Sequence, residues 1–330
     1  MAAAIAAGAL FHSNSKCRNE NQIRAIKARP MILSNHEFGG VSTDLKLSVV
    51  DGYLRAFTTA LRGKFKDLWY IDAFAGTGER TVRRLAQDAD LFDLATEERI
   101  ERLRGSAKIA IDVRPPFDRL VFMDMNKRHC EALRLLQASN PERDIEVLES
   151  DANDAIERLL KSRNWSGTRA VMFLDPYGMS VNWTTLEAIK TSQAIDVWYL
   201  VSLSGLFRQA ALDARALDQS KRLALTRMLG TDEWETAWYR RSERQDLFGA
   251  IEADRERVAD VDAIEAFVHN RLSGLFPRVL KPLRLKDDRG IPQFALFFAI
   301  SNPDGKAIGL ATKIANHILN SGRSSQVRPR

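Results

Sequence analysis

The segment from Asp72 to Gly78, Asp-Ala-Phe-Ala-Gly-Thr-Gly, has the residue types of a turn that holds a ligand. Its glycines let the backbone turn tightly and approach a bound molecule closely. Thr81 stands where the dinucleotide-binding fingerprint has its third glycine, and no Gly-Lys-Ser/Thr follows, so neither that motif nor a P-loop is present. Four residues are predicted to bind a cofactor: Asp72, Phe74, Gly76 and Gly78. The alternative is a tight strand-to-helix turn without a ligand.

Two further acidic residues follow apolar runs, where strands are predicted to end. Asp124 ends one run, and a carboxylate there can accept both hydroxyl hydrogens of a ribose, as in dinucleotide sites. Asp151 follows the next run, where it can accept a hydrogen bond from an adenine amine. Each residue alone is more often a loop or helix-capping acid. Together with the glycine turn, both are predicted to contact the nucleoside of a cofactor.

The sequence Asp175-Pro176-Tyr177-Gly178 ends a further run and is the candidate reaction position. An exocyclic base amine is a poor nucleophile because its lone pair is delocalised into the ring. The Asp175 carboxylate and the Pro176 carbonyl can each accept one N–H, which draws the nitrogen toward tetrahedral geometry. Tyr177 can stack on the base, a contact that contributes about 1–3 kcal/mol. The alternative is an Asx-type turn with a tyrosine in the core.

The segments that must position these residues alternate between two periodicities. Five short apolar runs predict buried strands, at 68–72, 120–124, 145–148, 170–175 and 195–201. Helical patterns lie between them, at 127–139, 152–162 and 184–191. This alternation predicts an α/β fold with a doubly wound, mostly parallel sheet. Two later runs, 279–285 and 293–300, are joined by a turn and predict an antiparallel edge on that sheet.

Other segments are predicted to surround this sheet. Two helices flank it, over about 44–64 and about 306–319. The spacing between Asp72 and Asp124 is longer than one crossover needs, so an insertion is predicted at about 79–116. A second, helical insertion is predicted at about 205–275. Its candidate core anchors are Trp234, Trp238 and Phe248.

Residues 1–35 are predicted to lie outside this domain, which is predicted to span 36–330. The first eleven residues are mostly apolar, but no Lys or Arg precedes them as a secretory signal requires. The residues that follow, up to Pro30, are mostly polar and show no periodicity. The segment is interpreted as a disordered tail, or as a start site placed before the true one at Met31.

Composition excludes several classes of protein. Hydrophobic residues make up 45% and charged residues 28% of the chain, values typical of a globular protein with a sizeable core. No run approaches the roughly 18 apolar residues of a membrane span. Two cysteines cannot build a disulfide framework, and the five histidines lack metal-ligand spacing. These observations predict no metal site and favour a cytoplasmic location.

The net charge of +6 is unevenly distributed along the chain. Residues 271–330 carry eleven Lys and Arg against three Asp, which suits a polyanionic partner such as a nucleic acid. Five residues are predicted to contact phosphates: Arg278, Lys281, Arg284, Lys286 and Arg289. A solvated surface that keeps the protein soluble is the alternative. Lys46, on the first helix near the glycine turn, is a further candidate for ligand contact.

These motifs resemble those of known methyltransferases. Asp-x-Phe-x-Gly-x-Gly after a strand resembles motif I of class I S-adenosylmethionine (SAM)-dependent methyltransferases, which implies a Rossmann-like fold and SAM as the cofactor. Asp-Pro-Tyr-Gly resembles the Asp-Pro-Pro-Tyr/Phe signature of enzymes that methylate exocyclic base amines. It is more similar still to the Asp-Pro-Phe-Gly of tRNA guanine-N2 methyltransferases. The chain lacks the second proline of the former signature.

From Lys46 to the last helix, the chain resembles the three-Cys-motif partner family. The resemblance rests on these segments: Asp44–Leu47 with Tyr53-Leu54, Tyr70–Gly78, Gly105–Ala107, Phe173–Gly178 and Asp196–Leu200. It implies a methyltransferase-like fold and a partner protein that bears a three-cysteine motif of the radical-SAM type. The chain departs from the family at Gly105-Ser106-Ala107, where Gly-Ser-Pro is expected.

Three functions remain open at this point. The first is transfer of a methyl group from SAM to an exocyclic amine of a nucleic-acid base. The second is a non-catalytic or accessory subunit of the three-cysteine partner, and the third is methylation of a protein or small molecule. A pocket at Asp175 that is open to a base would favour the first function, and a collapsed pocket the second.

Overall fold

The strands and helices below belong to residues 41–85, 98–245 and 251–327, which the computed structural model describes. The strands are β1 (Asp67–Asp72), β2 (Glu79–Leu85), β3 (Glu98–Arg104), β4 (Arg119–Asp124), β5 (Ile145–Glu149), β6 (Thr168–Leu174), β7 (Ile195–Ser202), β8 (Tyr239–Gln245), β9 (Ile251–Arg257), β10 (Arg278–Val279), β11 (Leu283–Lys286) and β12 (Pro292–Ile300). The helices are α1 (Val41–Leu61), α2 (Ser106–Asp112), α3 (Lys127–Ala138), α4 (Ala152–Lys161), α5 (Trp183–Thr191), α6 (Leu203–Gln209), α7 (Gln219–Leu229), α8 (Glu233–Trp238), α9 (Val261–Leu275) and α10 (Gly305–Val327).

Eight strands form one sheet in the order β10-β12-β7-β6-β1-β4-β5, with β11 also paired to β12. The five strands from β5 to β7 in this order are parallel to one another. β12 is antiparallel to β7 and to both β10 and β11. The predicted α/β fold, with a mostly parallel sheet and an antiparallel edge, is therefore confirmed.

One predicted strand is divided in the structure. The apolar run 279–285 forms two short strands, β10 and β11, on either side of Lys281-Pro282. Proline has no backbone N–H and cannot donate to a strand pair, so the run is interrupted there. The other predicted strands are confirmed, with ends that shift by one or two residues.

Both faces of the sheet are covered, because alternate strand residues point to opposite sides. Ile71 of β1 enters a core that it shares with residues of α4 to α9, whereas Tyr70 enters a core shared with α1, α2 and α10. On the second face, the ring of Tyr53 in α1 lies 5.4 Å from the ring of Trp198 and 4.8 Å from that of Phe298. Helix α1 is thereby fixed against β7 and β12.

The segments predicted as insertions each contain a hairpin. Residues 79–116 include the antiparallel pair β2–β3 and then α2. Residues 205–275 contain most of α6 together with α7, α8 and α9, and also the pair β8–β9. The periodicity of the sequence did not predict the hairpin β8–β9, because its strands are rich in charged residues and have no apolar alternation. The two strands are held by pairing with each other.

Trp234 and Trp238 of α8 are buried core residues, as predicted. Phe248 and the predicted tail 1–35 lie outside the described residues. Within the described part of the chain, no helix has the combination of length and apolar character that crossing a membrane requires.

Candidate functional site

The carboxyl ends of the parallel strands bring three acidic residues together. We call this end of the sheet the carboxyl edge, to distinguish it from the antiparallel edge formed by β10, β11 and β12. β1 ends at Asp72, β4 ends at Asp124, and β6 ends just before Asp175. Because β1 pairs with both β4 and β6, these acids lie on adjacent strands. The turn after β1 contains Gly76, so the predicted cofactor and reaction residues come together at the edge where α/β sheets bind ligands.

Asp72 is fully buried and holds the glycine turn in place. Its carboxylate accepts hydrogen bonds from the Tyr70 hydroxyl (3.1 Å), the Phe74 backbone N–H (3.3 Å) and the Ser106 hydroxyl. Burial raises the pKa of Asp72 to about 6; the Ser106 hydrogen bond offsets part of this rise, and the charge of Asp175 adds to it. Asp72 therefore acts on the turn through hydrogen bonds and presents no surface to solvent.

The two glycines of the turn have different roles. Both have positive φ, +59° at Gly76 and +74° at Gly78, which favours glycine. A Cβ at Gly76 would meet no described atom within 4 Å, so a ligand has room beside this backbone. A Cβ at Gly78 would lie 3.0 Å from Leu136 and 3.2 Å from Leu133, so this glycine lets α3 pack against the turn. The Phe74 side chain packs partly against the core.

Asp124 lies against the glycine turn, where its predicted role toward a ribose requires it to be. It is 6% exposed, and its Oδ2 accepts a hydrogen bond from the Gly76 backbone N–H at 3.0 Å. Its Oδ1 accepts one from the Asn126 backbone N–H at 2.7 Å, and His129 Nδ1 lies 3.1 Å from Oδ2. A carboxylate has about four acceptor positions, so part of this capacity is already used.

Asp151 is exposed and caps α4. Its Oδ1 accepts hydrogen bonds from the backbone N–H groups of Asn153 (2.9 Å) and Asp154 (3.3 Å). The Asn153 amide also donates to this oxygen and to the Ser180 carbonyl (2.9 Å), which ties α4 to the loop after β6. Capping of α4 accounts for the hydrogen bonds that Asp151 makes in this structure. Its contact with an adenine amine stays a prediction.

Asp175 is paired with a lysine of the first helix. Lys46 Nζ in α1 donates a hydrogen bond to Asp175 Oδ2, and the side chains are 11% and 27% exposed, respectively. The same Nζ lies 5.9 Å from the centre of the Phe173 ring. Lys46 was predicted to lie near the glycine turn, and the structure brings it onto the candidate reaction residue.

Tyr177 points away from the core. It is 65% exposed, which contradicts the alternative of a turn with a core tyrosine. Partial burial raises the pKa of its hydroxyl, and the charges of Asp124 and Asp175 raise it further. Tyr177 therefore stands close to both the cofactor candidate and the reaction candidate. Pro176, before it, is half-buried.

Arg284 is engaged within the protein, and its contact with a phosphate stays a prediction. Its guanidinium donates two hydrogen bonds to Glu265 (2.6 and 3.0 Å) and lies 2.7 Å from an oxygen of Asp262. The hydrogen bonds with Glu265 raise the pKa of Arg284. The bidentate pair with this carboxylate uses two of the five N–H donors of the guanidinium. Arg284 joins β11 to α9.

Other basic candidates are divided between the carboxyl edge and the opposite edge, where the parallel strands begin. Lys286 is exposed at the end of β11, where its carbonyl accepts a hydrogen bond from the Ser42 hydroxyl in α1. This end of β11 lies at the same edge as Asp175, because β11 and β7 are both antiparallel to β12. The exposed Arg289 follows in the next turn. Arg278 of β10 pairs with the far end of β12, at the opposite edge.

Three residues of the site were not predicted from the sequence: Tyr70, Ser106 and His129. Tyr70 and Ser106 both donate hydrogen bonds to Asp72. Ser106 begins α2, which follows the described hairpin β2–β3, so only the folded structure shows that it reaches Asp72. The contact of His129 could have been predicted from the sequence, because a side chain in the first turn of a helix can reach the acidic residue that ends the preceding strand. Among the described residues, no group of three or more His, Cys, Asp and Glu side chains could hold a metal ion.

The strand order, the helices on both faces and the glycine turn after β1 define a class I methyltransferase-like fold. No family model and no curated protein matches the sequence.

Solved structures show only distant likenesses to this chain. Protein LPL1258 of Legionella pneumophila, of family DUF519, is 14% identical with a TM-score of 0.45, over 86% of this chain and 95% of its own. A SAM-dependent methyltransferase of Clostridium acetobutylicum is 10% identical with a TM-score of 0.34, over 76% and 92%. With TM-scores this low, the fold assignment rests on the strand order rather than on these likenesses.

Proposed function

We propose that this protein is a SAM-dependent methyltransferase that acts on an exocyclic amine of a nucleic-acid base. One juxtaposition carries the proposal: the open space beside Gly76, bordered by Asp124, adjoins the strand end that bears Asp175. A methyl group passes directly from donor to acceptor, so the two binding positions must be adjacent and aligned.

The residues at this edge fit SAM in three respects. Gly76 leaves room for close approach, and Asp124 keeps acceptor capacity for a ribose hydroxyl. Met125, 77% exposed beside Asp124, offers apolar surface to an adenine. When bound, SAM supplies a methyl group on a sulfonium that is already activated for transfer.

Asp175, Pro176 and Tyr177 are the residues proposed to receive the base. Lys46 uses Oδ2 of Asp175, so Oδ1 and the Pro176 carbonyl are the proposed acceptors for the two N–H groups of an amine. The exposed Tyr177 ring is proposed to stack on the base, which would stabilise the complex by about 1–3 kcal/mol. Alignment of the amine supplies most of the rate in this proposal.

The proposal includes a partner protein with a three-cysteine motif and a cytoplasmic location. The family resemblance is the basis for the partner, and the composition of the sequence is the basis for the location. Two contacts within this chain join segments that carry the resemblance. The Gly105 backbone N–H donates to the Gly78 carbonyl at 3.1 Å, and the Ser106 hydroxyl donates to Asp72. For nucleic acid, the proposed surface is the carboxyl edge with Lys286 and Arg289.

One observation favours the second candidate, an accessory subunit that keeps the fold without catalysis. The Lys46–Asp175 pair occupies one oxygen of the carboxylate that an amine would approach. If this pair is never opened to a substrate, the edge serves as a cofactor or partner site alone.

Calorimetry with SAM and S-adenosylhomocysteine tests the cofactor directly, and we expect both to bind. A labelled-methyl assay over pooled tRNA, rRNA and DNA, with and without the three-cysteine partner, then tests catalysis. Binding without labelling in either condition favours the accessory subunit, and absence of binding rejects the proposed cofactor.

A further inference from the structure

His129 in the first turn of α3 contacts the carboxylate of Asp124. Its Nδ1 lies 3.1 Å from Oδ2, the oxygen that also accepts the Gly76 backbone N–H at 3.0 Å. The other oxygen, Oδ1, accepts the Asn126 backbone N–H at 2.7 Å. Because both oxygens already accept hydrogen bonds from backbone groups, the carboxylate acts as an acceptor and His129 Nδ1 is the donor.

His129 belongs to a stripe on α3 that faces the glycine turn. Leu133 and Leu136 follow it at helical spacing, and both lie beside Gly78. Helix α3 therefore supports the turn twice, through apolar contacts at Gly78 and through the His129–Asp124 hydrogen bond at Gly76.

The histidine limits how the Asp124 carboxylate can turn. The terminal torsion of an aspartate is broad, so each added hydrogen bond narrows its orientation. Gly76, Asn126 and His129 approach from the turn, from the segment after β4 and from α3. Together they use three of about four acceptor positions, and the remaining position is on Oδ1.

We propose that His129 is a positioning residue of the cofactor site: by holding Oδ2 of Asp124, it presents the remaining acceptor position on Oδ1 to a ribose hydroxyl. The inference rests on the proposed function, since it takes a SAM-type nucleoside as the ligand. It assigns His129 to the recognition of the ribose, in addition to any contribution to stability.

Two substitutions separate these effects by calorimetry with S-adenosylhomocysteine. We expect His129→Leu to raise its Kd about tenfold, because a hydrogen bond to a charged group is removed. His129→Asn places an amide N–H close to the position of Nδ1–H and should bind within about threefold of the parent. Arg128→Leu, at an exposed neighbour on α3, is the matched control and should leave the Kd unchanged.

A second measurement distinguishes recognition of the ribose from general damage. Adenosine and 2′,3′-dideoxyadenosine compete with S-adenosylhomocysteine, and the parent should prefer adenosine. His129→Leu should reduce that preference, whereas simple loss of structure would weaken both competitors equally. An equal loss, or identical Kd values for Leu and Asn, overturns the role of His129. Failure of the parent to bind S-adenosylhomocysteine overturns the proposed function itself.

Discussion

Lys46 Nζ in α1 donates a hydrogen bond to Asp175 Oδ2 at the end of β6. This contact joins the first described helix to the candidate reaction position, across 129 residues of sequence. Both side chains are largely shielded from solvent, so removing one partner leaves the charge of the other uncompensated. An experiment that substitutes Asp175 must therefore measure the effect on catalysis and the effect on stability separately.

Asp175→Ala should leave SAM affinity near the parent value and reduce methyl transfer by about 100-fold or more, as when one transition-state hydrogen-bond partner is removed. It should also destabilise the fold, because Lys46 loses its partner. The double variant Asp175→Ala/Lys46→Met removes the unpaired charge and should recover stability without recovering activity. Recovery of both would mean that Asp175 has no part in the reaction. The labelled-methyl assay and thermal unfolding measure the two effects.

Gly76→Ala should weaken binding of S-adenosylhomocysteine, because its Cβ would enter the open space proposed for the cofactor. Gly63→Ala is the matched control: Gly63 has φ +79°, is equally open, and lies before β1 at the opposite edge. Both variants should lose about 1 kcal/mol of stability from the left-handed conformation, and Gly76→Ala alone should lose affinity. Equal affinities in calorimetry would remove Gly76 from the cofactor site.

Asp72→Asn should stabilise the protein at neutral pH. The folded-state pKa of Asp72 is about 6, above its ordinary value of 3.8, because burial disfavours the charged form. Ionisation of Asp72 therefore lowers the stability of the parent by up to about 3 kcal/mol as pH rises from about 4 through 6, and the variant lacks this contribution. Denaturant titrations across this range measure the difference, and parallel pH profiles for both proteins would contradict it.

Asp196→Asn is the control for this prediction. Burial also raises the pKa of Asp196 to about 6, although the Tyr53 hydroxyl donates to it at 2.7 Å. Asp196 lies near the start of β7, away from the carboxyl edge. Asp196→Asn also removes one such contribution, so its stability should fall less than that of the parent over the same pH range. Its affinity for S-adenosylhomocysteine should be unchanged, whereas Asp72→Asn should lose affinity.

Gly230→Ala should be strongly destabilising. Gly230 ends α7 with φ +66°, and a Cβ there would lie 2.1 Å from Trp183 Cγ. We expect a loss of about 3 kcal/mol or more, since overpacking adds to the cost of the left-handed conformation. Gly290→Ala, with φ +79° and open space, should lose only about 1 kcal/mol. Similar losses in denaturant unfolding would show that Trp183 moves aside.

Nucleic-acid affinity should depend on the basic residues of one edge only. Replacing Lys286 and Arg289 by Ala should flatten the log–log salt dependence of binding, by about 0.7–0.9 for each phosphate that the variant no longer neutralises. Replacing Arg278 and Lys281 should leave the slope unchanged, because β10 pairs at the opposite edge. If both double substitutions change the slope equally, the basic residues of both edges contact nucleic acid as one surface.

Local patterns in the sequence are sufficient to predict the fold class and the outline of the site. Apolar runs alternating with helical patterns predict a parallel sheet, and the acids that end those runs must then share one edge. Asp72, Asp124 and Asp175 were therefore predictable as neighbours, as was the glycine turn. These features follow from local periodicity and from the geometry that every parallel sheet imposes.

The partners that these residues meet depend on how separate elements pack in three dimensions. Lys46 with Asp175 and His129 with Asp124 are contacts between different elements, as is Arg284 with Glu265. The spacing of residues along a chain does not show which side chains of two packed elements touch. The same holds for Gly78, where the close packing of α3 against the turn adds to the requirement for glycine that its positive φ already imposes.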